Sequence, residues 1–457
     1  MIQVAASEQE VERDANQLFV ASRPRSRHGH WQGSEDGGAY LFLSNGSQFF
    51  EVDTQVIGRL DEAATRGDRA VELLLDELKL GGTPLIDDTP LQSPPLHAVS
   101  LAIAQKCNLA CSYCYADHGK FGGAAQAMDL DTALRAVDLL MDNAGAGSRV
   151  NISFLGGEPL ANRMVLRAVT EYAEAEATVR GVVATYSITT NGTLLTEQDG
   201  SFFEKYGFAV TVSLDGLRDE HDKRRPFHNG VGSFERIIGR VRPLLAMQQR
   251  MQVSVRATIT PGNYRLLESL EYFFAMGFHS AGFSPVLRSP NGQGEMKGRD
   301  LDKMLQSMVE CGAEFERCVN GGQRFAFTNM VNAMRELHRG THRPYPCGAG
   351  AGYLGVSAEG DLAACHRFVG DREGGMGDLK VGINRERQNK WLRERHVDRQ
   401  EPCNGCWARY LCGGGCHHEV IARGRTACDY IRGWLHYCLQ VYRRLSLARP
   451  DWFDGVA

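Results

Sequence analysis

Two kinds of hydrophobic pattern alternate along the middle of the chain, from about residue 97 to residue 287. Short apolar segments are typical of buried strands, and longer segments with an amphipathic helical repeat separate them. The predicted strands are Ala98–Ala104, Arg149–Leu155, Val182–Thr189, Phe208–Leu214, Met251–Ile259 and Ser280–Val286. The predicted helices are Leu130–Met141, Arg163–Thr178, Glu197–Tyr206, Ser233–Gln248 and Tyr264–Met276. This alternation predicts an α/β fold with a parallel sheet, which right-handed crossovers curl towards a partial (β/α)6 TIM-like barrel.

Four unusual stretches follow the first four predicted strands. They are the cysteine-containing loop at Cys107 and the segments Gly156–Pro159, Thr189–Gly192 and Ser213–Gly216. In barrels of parallel strands, the chemistry lies at the carboxyl ends of the strands. We therefore expect all four stretches to lie on the same rim and to form one site.

The first 95 residues have a different pattern. Apolar segments at Gly38–Ser44 and Gln48–Val52 flank Asn45-Gly46, a dipeptide that strongly predicts a β-hairpin. Helical patterns follow at Asp53–Thr65 and Arg69–Leu78, and the proline-containing segment Thr83–Pro95 is typical of a linker. The pattern predicts a winged-helix-like module. It serves either as a stabilising cap or as a site where the hairpin edge pairs with an incoming peptide strand.

The rest of the chain divides into a helical connector and a cysteine-rich region. Leu301–Val319 has a helical pattern, with Cys311 and Cys318 on one face, where we interpret both thiols as buried apolar groups. The sequence therefore predicts four parts: residues 1–95, 96–290, 291–345 and 346–457.

Composition and charge exclude several classes of function. A net charge of −4 gives no electrostatic reason to expect a nucleic-acid partner. No apolar run approaches the roughly 20 residues that span a bilayer. Residues Met1–Asn16 are polar, so we expect no secretory signal. Thirteen cysteines in such a chain favour metal or redox chemistry over disulfides. We expect a cytoplasmic metalloprotein without a membrane partner.

Cys107, Cys111 and Cys114 form the pattern C-x3-C-x2-C. Cysteines this close in sequence are poorly placed for disulfides with distant partners, whereas thiolates are the usual ligands of iron–sulfur clusters. Three ligands on a [4Fe–4S] cluster leave one iron open, and an open position distinguishes catalytic from structural metal sites. The alternative interpretation is a zinc knuckle or a chance grouping of cysteines.

With Tyr113 in its aromatic position, this motif resembles the signature of the radical S-adenosylmethionine superfamily. The resemblance implies that the open iron chelates the amino and carboxylate groups of S-adenosylmethionine. It also implies that an electron from the cluster breaks the S–C5′ bond and yields a 5′-deoxyadenosyl radical.

Each rim stretch contains groups that suit this cofactor. Gly156 and Gly157 allow close backbone approach, and Glu158 can accept from the amino group, as in the superfamily's GGEP motif. Hydrogen-bonding groups for a ribose and a carboxylate are Thr189, Thr190, Asn191, Ser213 and Arg256. T-N-G and L-D-G are also ordinary turns, and a barrel arginine can instead satisfy backbone carbonyls.

We assign Asp215 no catalytic role. The charged segment His221–Pro226 shapes the substrate side of the barrel or is a solvated loop.

The last third contains eight further cysteines in an order that resembles the SPASM domain, which binds two auxiliary [4Fe–4S] clusters. Zinc would explain one C-x2-C pair but not the whole series. The resemblance implies that the outer cluster is held by Cys403, Cys406, Cys412 and Cys428. It implies that the inner cluster is held by Cys347, Cys365 and Cys416, with Cys438 or an open iron in the fourth place. His417 and His418 are possible ligands, but we interpret them as second-layer donors or surface groups.

The runs Arg343–Cys347 and Cys412–Trp434 most resemble the maturases of quinohemoprotein amine dehydrogenases. This implies an enzyme that contains three [4Fe–4S] clusters and binds S-adenosylmethionine. A flavodoxin- or ferredoxin-like donor would supply its electrons. It also implies a Cys-containing polypeptide substrate, bound through a leader segment, with thioether crosslinks from Cys sulfur to Asp or Glu side-chain carbons in a small dehydrogenase subunit. The first 95 residues resemble a leader-peptide recognition element. Alternatives are a formylglycine-forming sulfatase-type maturase and a non-catalytic iron–sulfur electron carrier or redox sensor.

Overall fold

The computed structural model describes residues 17–33, 37–81, 85 and 87–455. The chain forms two compact units, each built from separate segments. The first unit comprises Met1–Pro90, Lys297–Cys347 and Arg393–Ala457, and the second comprises Leu91–Met296 and Gly348–Leu392. The predicted division into four consecutive parts stays a prediction. No helix among the described residues combines the length and the apolar character needed to cross a membrane.

The first unit contains a three-stranded antiparallel sheet in the order β1-β2-β3. Its strands are β1 (Gly29–Gly33), β2 (Ala39–Leu43) and β3 (Gln48–Val52). The hairpin between β2 and β3 turns at Asn45–Ser47, where Gly46 has the positive φ of 78° that this dipeptide favours. Strand β1 was not predicted, because glycines at both its ends interrupt the apolar pattern.

Two helices, Thr54–Thr65 and Asp68–Glu77, follow the sheet as predicted. Asp53 caps the first helix by accepting a hydrogen bond from the amide of Gln55. Both helices bury their apolar faces against the sheet in a cluster of Trp31, Leu41, Leu43, Leu60, Ala63, Val71, Leu74 and Leu75. This small core explains why the segment folds as a sheet covered by helices.

The rest of the first unit is mostly helical. Its helices are Arg299–Asn320, Thr328–His338, Arg409–Cys412, His417–Arg423, Cys428–Ala448 and Pro450–Asp454. The first of these agrees with the predicted connector helix. Cys311 and Cys318 are both buried on it, as the interpretation of these thiols as apolar groups requires.

The second unit contains an eleven-stranded sheet in which six neighbouring strands are parallel and follow the order of the chain. These are β4 (Ala98–Gln105), β6 (Arg149–Gly156), β7 (Val183–Thr190), β8 (Ala209–Ser213), β9 (Gln252–Ile259) and β10 (Ser280–Pro285). Each differs from its predicted strand by at most one residue at either end. The predicted parallel α/β sheet is confirmed.

Helices connect the parallel strands. They are Leu130–Asp142, Arg163–Arg180, Glu197–Tyr206, Arg218–Arg224, Phe234–Met247 and Leu266–Ala275. Five match predicted helices. Arg218–Arg224 was not predicted, because a polar helix of seven residues has no apolar repeat. It lies in the segment after β8.

Strands that the sequence did not predict extend the sheet. They are β5 (Gln126–Ala127), β11 (Tyr353–Val356), β12 (Asp361–Ala363), β13 (Gly375–Asp378) and β14 (Gly382–Ile383). β5 pairs with β4, and β11 lies parallel to β4 on the side away from β6. Strands of two to four residues are too short for an alternating pattern to reveal. The helix Arg385–Arg395 follows them.

The parallel strands have one apolar and one polar face. On β8, Val210 and Val212 are fully buried, while Thr211 and Ser213 on the other face are only half-buried. The strand register aligns this second face across the sheet, so that Ser213 lies opposite Arg256 and Thr211 lies opposite Ser254. A polar, incompletely buried sheet face offers hydrogen-bonding groups to a ligand, whereas the apolar face packs on helices.

The start of the helix Glu197–Tyr206 depends on one buried carboxylate. Asp199 is 1% exposed, completes a capping box with Thr196, and accepts hydrogen bonds from Arg163 at 2.7 Å and from Arg167 at 3.1 Å.

We expect Asp199→Ala to destabilise the second unit by about 2 to 3 kcal/mol, because hydrogen bonds to a buried charge and a helix cap are lost together. Scanning calorimetry measures this as a lowered unfolding temperature. Asp142→Ala removes an Arg180 partner that is 65% exposed and should leave that temperature nearly unchanged. If both variants lowered the unfolding temperature equally, the stabilising role assigned to Asp199 would be contradicted.

Candidate active site: a cysteine loop at the strand rim

Cys107, Cys111 and Cys114 lie in the loop after β4, at the carboxyl end of that strand. The loop turns tightly, since the amide of Cys114 donates to the carbonyl of Cys111 at 3.2 Å and the amide of Leu109 donates to the Cys107 sulfur at 3.4 Å. The pKa of the Cys111 thiol is raised to about 12, chiefly by burial; Arg225 opposes this rise, and Cys114, Asp215 and Cys107 contribute to it. The three sulfurs therefore lie within electrostatic reach of one another.

These three thiols fit the iron–sulfur cluster that their spacing suggests. Burial alone disfavours the thiolate at Cys107 and Cys111, so both need a cationic partner to ionise, and a coordinated metal supplies one. Among the described residues, no three His, Cys, Asp or Glu side chains are grouped to hold a single metal ion. A [4Fe–4S] cube is wider than one ion, and its thiolate ligands stand correspondingly further apart.

Glu158 is fully buried and connects the ends of neighbouring strands. Its carboxylate accepts hydrogen bonds from Thr190 Oγ1 at 2.7 Å, from the Asn191 amide at 2.8 Å and from the Leu160 amide at 3.0 Å. Burial raises the pKa of Glu158, and these donors partly offset the rise. In this structure the carboxylate is occupied by protein donors. It fixes the rim in place, and direct contact with a ligand amino group stays a prediction.

Gly156 and Gly157 lie where two strand ends approach closely. A Cβ atom on Gly156 would lie 2.4 Å from the Ala104 carbonyl oxygen, and one on Gly157 would lie 2.4 Å from that of Lys106. Gly156 also has a φ of 141°, which other residues rarely adopt. The glycines therefore bring the second rim stretch against the backbone that leads into the cysteine loop. Close approach to a ligand stays a prediction.

Asn191 links the third rim stretch to the cysteine loop. Its Nδ2 donates to Asn108 Oδ1 at 2.9 Å and lies 3.6 Å from the Cys107 sulfur, and its Oδ1 accepts from Thr193. Asn108 in turn donates to Thr193 Oγ1 at 2.8 Å. Asn108 and Thr193 were not singled out from the sequence. The T-N-G-T run could have indicated these contacts, because a side-chain amide next to a turn can hydrogen-bond to a neighbouring loop.

Thr189, Ser213 and Arg256 lie on the polar face of the sheet. Thr189 and Ser213 are half-buried, and Arg256 is exposed and pairs with Ser213 across neighbouring strands. Thr190 faces the other way, is 1% exposed, and bonds to Glu158. The structure thus divides the predicted cofactor residues into a buried set that supports the rim and an accessible set on the sheet face.

Asp215, Tyr113 and Arg225 form a buried network that the sequence analysis did not identify. Tyr113 donates to Asp215 Oδ2, Arg225 NH1 donates to the Tyr113 hydroxyl at 2.7 Å, and the Thr258 amide donates to Asp215 Oδ1 at 3.1 Å. Burial raises the pKa of Asp215, and Arg225 opposes that rise. The prediction gave Asp215 no role beyond a possible turn, yet its side chain is fully buried beside the cysteine loop.

The segment His221–Pro226 is not a solvated loop. His221 is fully buried, and the segment runs beside the cysteine loop, where Ala110 and Ser112 donate backbone hydrogen bonds to Pro226 and Arg224. His221 accepts from the Asp215 amide through Nδ1 at 3.3 Å, and its Nε2 lies 2.9 Å from Ser233 Oγ. The solvated-loop alternative is wrong, because backbone pairing and the buried His221 fix this segment against the site.

Four C-terminal cysteines come close together in the first unit. Burial raises the pKa of Cys403 to about 12, Arg425 lowers it, and the thiolates of Cys412, Cys428 and Cys406 raise it. These electrostatic effects are consistent with the predicted outer ligands, Cys403, Cys406, Cys412 and Cys428, being neighbours, and the Cys406 amide donates to the Cys403 carbonyl at 2.9 Å. They stay a predicted cluster site.

The predicted inner ligands lie in both units. Cys347 and Cys416 belong to the first unit and Cys365 to the second. Gly413, Gly414 and Gly415 all have positive φ, and a Cβ on Gly413 would lie 2.4 Å from the Pro346 nitrogen, so the glycine run passes directly beside the Cys347 backbone. Cys438 is fully buried, with its sulfur 3.8 Å from that of Met330, which is the position of a core thiol.

His417 and His418 are buried, at 4% and 5% exposure, so the interpretation of these residues as surface groups is wrong. Burial lowers the pKa of His417 to about 3, and Arg395 and Arg425 add to the effect. His417 is therefore neutral at physiological pH.

Comparison with known proteins agrees with this site. Residues 101–287 match the model of the Radical SAM superfamily. The chain is 23% identical to the serine-type anaerobic sulfatase-maturating enzyme of Klebsiella aerogenes over 348 residues, which are 74% of this chain and 83% of that protein.

Two solved structures have a similar fold. The structure of anSMEcpe with bound AdoMet superposes with a TM-score of 0.66 at 19% identity, over 79% of this chain and 98% of that one. Streptococcus suis SuiB bound to the precursor peptide SuiA gives 0.53 at 17% identity, over 87% and 96%. Residues 101–287 thus match the Radical SAM superfamily, and most of the chain shares its fold with anSMEcpe and SuiB.

Proposed function

We propose that this protein is a radical S-adenosylmethionine enzyme that forms thioether crosslinks within a polypeptide. The crosslinks join a Cys sulfur to a side-chain carbon of Asp or Glu, in a small subunit of a dehydrogenase. The observation that carries the radical chemistry is the Cys107–Cys114 loop, held at the ends of parallel strands by Glu158 and Asn191. The acidic partner is supported by the resemblance of Arg343–Cys347 and Cys412–Trp434 alone.

The residues of the loop and of the sheet face have separate tasks. Cys107, Cys111 and Cys114 hold the catalytic cluster, and the polar groups Thr189, Ser213 and Arg256 bind the ribose and carboxylate of S-adenosylmethionine. When bound, cluster and cofactor supply the radical that removes one hydrogen atom from a substrate carbon. The protein places that carbon beside the substrate thiol and excludes water.

The reaction balances with S-adenosylmethionine as the oxidant. A substrate C–H and S–H bond are replaced by one C–S bond, and the products include 5′-deoxyadenosine, methionine and one proton. One electron enters from a flavodoxin- or ferredoxin-like donor and one leaves when the C–S bond closes. The C-terminal cysteines would hold two auxiliary clusters, and one of these would accept that second electron.

The N-terminal sheet provides a surface for substrate capture. β3 is an outer strand of the described β1-β2-β3 sheet, and outer strands accept an extended peptide through backbone hydrogen bonds. The relative SuiB was solved with its precursor peptide, and its similarity extends over 87% of this chain. These points support leader binding at β3.

A second candidate is a formylglycine-forming maturase. The sulfatase-maturating relatives favour it, since they share the fold over about three quarters of this chain. The N-terminal sheet favours the crosslinking reaction instead, because it offers a dedicated surface for a leader segment.

Replacing Cys107, Cys111 and Cys114 together by Ala should abolish cleavage of S-adenosylmethionine, because the cluster with the open iron is lost. Iron analysis should find the iron of the two auxiliary clusters still bound. Cys311→Ala, at a core thiol, serves as the control and should retain cleavage. Formation of 5′-deoxyadenosine by the triple variant would exclude this site.

Substrate binding should protect the backbone amides of Gln48–Val52 from hydrogen exchange, because a peptide strand added to β3 would take up its outward-facing groups. Mass spectrometry of the holoenzyme with and without the polypeptide measures this. Amides of β2, which is already paired on both sides, serve as the internal control. A polypeptide that binds without protecting β3 must be captured elsewhere.

The product should be lighter than the substrate by two hydrogens for each crosslink. Cysteines in a thioether resist both reduction and alkylation with iodoacetamide, and fragmentation should yield Cys-containing peptides joined to Asp or Glu. Mass spectrometry of the product decides between the two reactions. A new aldehyde, with no joined fragments, would establish formylglycine formation instead.

A further inference from the structure

The segment after β8 brings a permanent positive charge to the cysteine loop. Backbone hydrogen bonds from Ala110 to Pro226, at 2.8 Å, and from Ser112 to Arg224, at 3.1 Å, lie on either side of Arg225 in the chain. Leu109 and Phe227 add an antiparallel bridge. The Arg225 backbone is therefore fixed beside the loop by contacts that do not involve its side chain.

The Arg225 side chain lies inside the protein, with 10% of its surface exposed. Its NH1 donates to the Tyr113 hydroxyl at 2.7 Å and lies 3.9 Å from Asp215 Oδ1, while its buried Nε has no hydrogen-bond partner among the described residues. Burying a guanidinium is costly unless a negative charge compensates it. Asp215 supplies one such charge at a distance longer than a hydrogen bond.

Other negative groups near Arg225 are the cysteine sulfurs. Ala110 and Ser112, whose amides bond to the residues on either side of Arg225, are the residues on either side of Cys111, and Tyr113, which accepts from Arg225, lies between Cys111 and Cys114 in the chain. Lys223, on the same helical turn, is exposed to solvent and is not part of this network. The burial of Arg225 is thus best explained by a second anion at the cysteine loop.

We propose that Arg225 and Asp215 are positioning residues that set the reduction potential of the cluster on Cys107, Cys111 and Cys114, with opposite signs. The proposal rests on the proposed function only in requiring that this loop binds a [4Fe–4S] cluster. Reduction adds one electron and makes the cluster more negative, so a buried cation favours the reduced form and a buried anion opposes it. Tyr113 fixes the distance between the two charges and the loop.

The structure explains why the two charges act through position. Asp215 is held by the Thr258 amide, and its own backbone is bonded to Asn263 and His221, so the carboxylate cannot follow Arg225 if that residue is changed. Neither Arg225 nor Asp215 takes part in bond making. Their contribution is the electrostatic field at the loop.

The test is an electron paramagnetic resonance titration of the full-length holoenzyme with a one-electron reductant. The catalytic cluster is recognised by the change in its spectrum when S-adenosylmethionine binds. Arg225→Met should shift its midpoint potential to more negative values, and Asp215→Asn should shift it to more positive values. Arg225→Lys should stay close to the parent, and the exposed control Lys223→Met should shift the potential least, because solvent screens its charge.

Iron content and circular dichroism establish whether each variant is folded and loaded. If Arg225→Met does not fold, Asp215→Asn and Arg225→Lys still decide the question. Shifts of the same sign for Arg225→Met and Asp215→Asn, or parental potentials in loaded variants, would overturn the proposal. A parent protein without a spectrum that responds to S-adenosylmethionine would instead show that the proposed function fails.

Discussion

The buried carboxylate of Glu158 is the contact on which the rim of the parallel sheet depends. It has no exposure to solvent, and removing a carboxylate from water is costly unless donors compensate it. Those donors are the Thr190 hydroxyl and the amides of Asn191 and Leu160, which belong to consecutive rim stretches. Satisfying one buried charge therefore fixes the end of β7 relative to the end of β6.

That constraint extends to the cysteine loop. Asn191, once fixed by Glu158, reaches Asn108 and the Cys107 sulfur, and Gly157 allows the rim to pack on the Lys106 backbone. On the other side, the segment Arg224–Phe227 pairs with the loop through its backbone. The loop is held from two directions before any cluster binds, and such preorganisation is what a metal site with an open position requires.

The sequence was sufficient for the elements that carry a strong hydrophobic period. All six parallel strands and five of the six helices between them were predicted, because each of these elements buries a complete apolar face over several residues. β11 to β14 were missed, because strands this short bury too few side chains to produce an alternation. The cysteine motif revealed the site itself, since the spacing of cysteines is a property of the local chain.

The buried polar network around Asp215 could not be predicted, for a physical reason. The sequence alone does not tell whether a charged residue is solvated or is buried beside a compensating charge. Tyr113 and Arg225 are more than a hundred residues apart in the chain, and only the fold brings them together with Asp215. His221 and His417 illustrate the same limit. Both lie in polar runs that suggested surface groups, yet burial keeps both neutral.

The two cysteine sites differ in how their nearby arginines are compensated. Arg225, beside Cys111, lies 3.9 Å from the Asp215 carboxylate, so the two charges partly cancel. Arg425, which lowers the pKa of Cys403, donates instead to neutral oxygens of Glu401, Gly414 and Gln400. Arg432 also lowers the pKa of the neighbouring Cys406. Arg432 is paired with Asp429, whose side chain is 75% exposed, whereas Arg425 has no carboxylate among its hydrogen-bond partners in the described residues. In the proposed function the loop cluster would give an electron to S-adenosylmethionine, and the charge of Arg425 beside Cys403 would favour the uptake of an electron by a cluster at Cys403–Cys428.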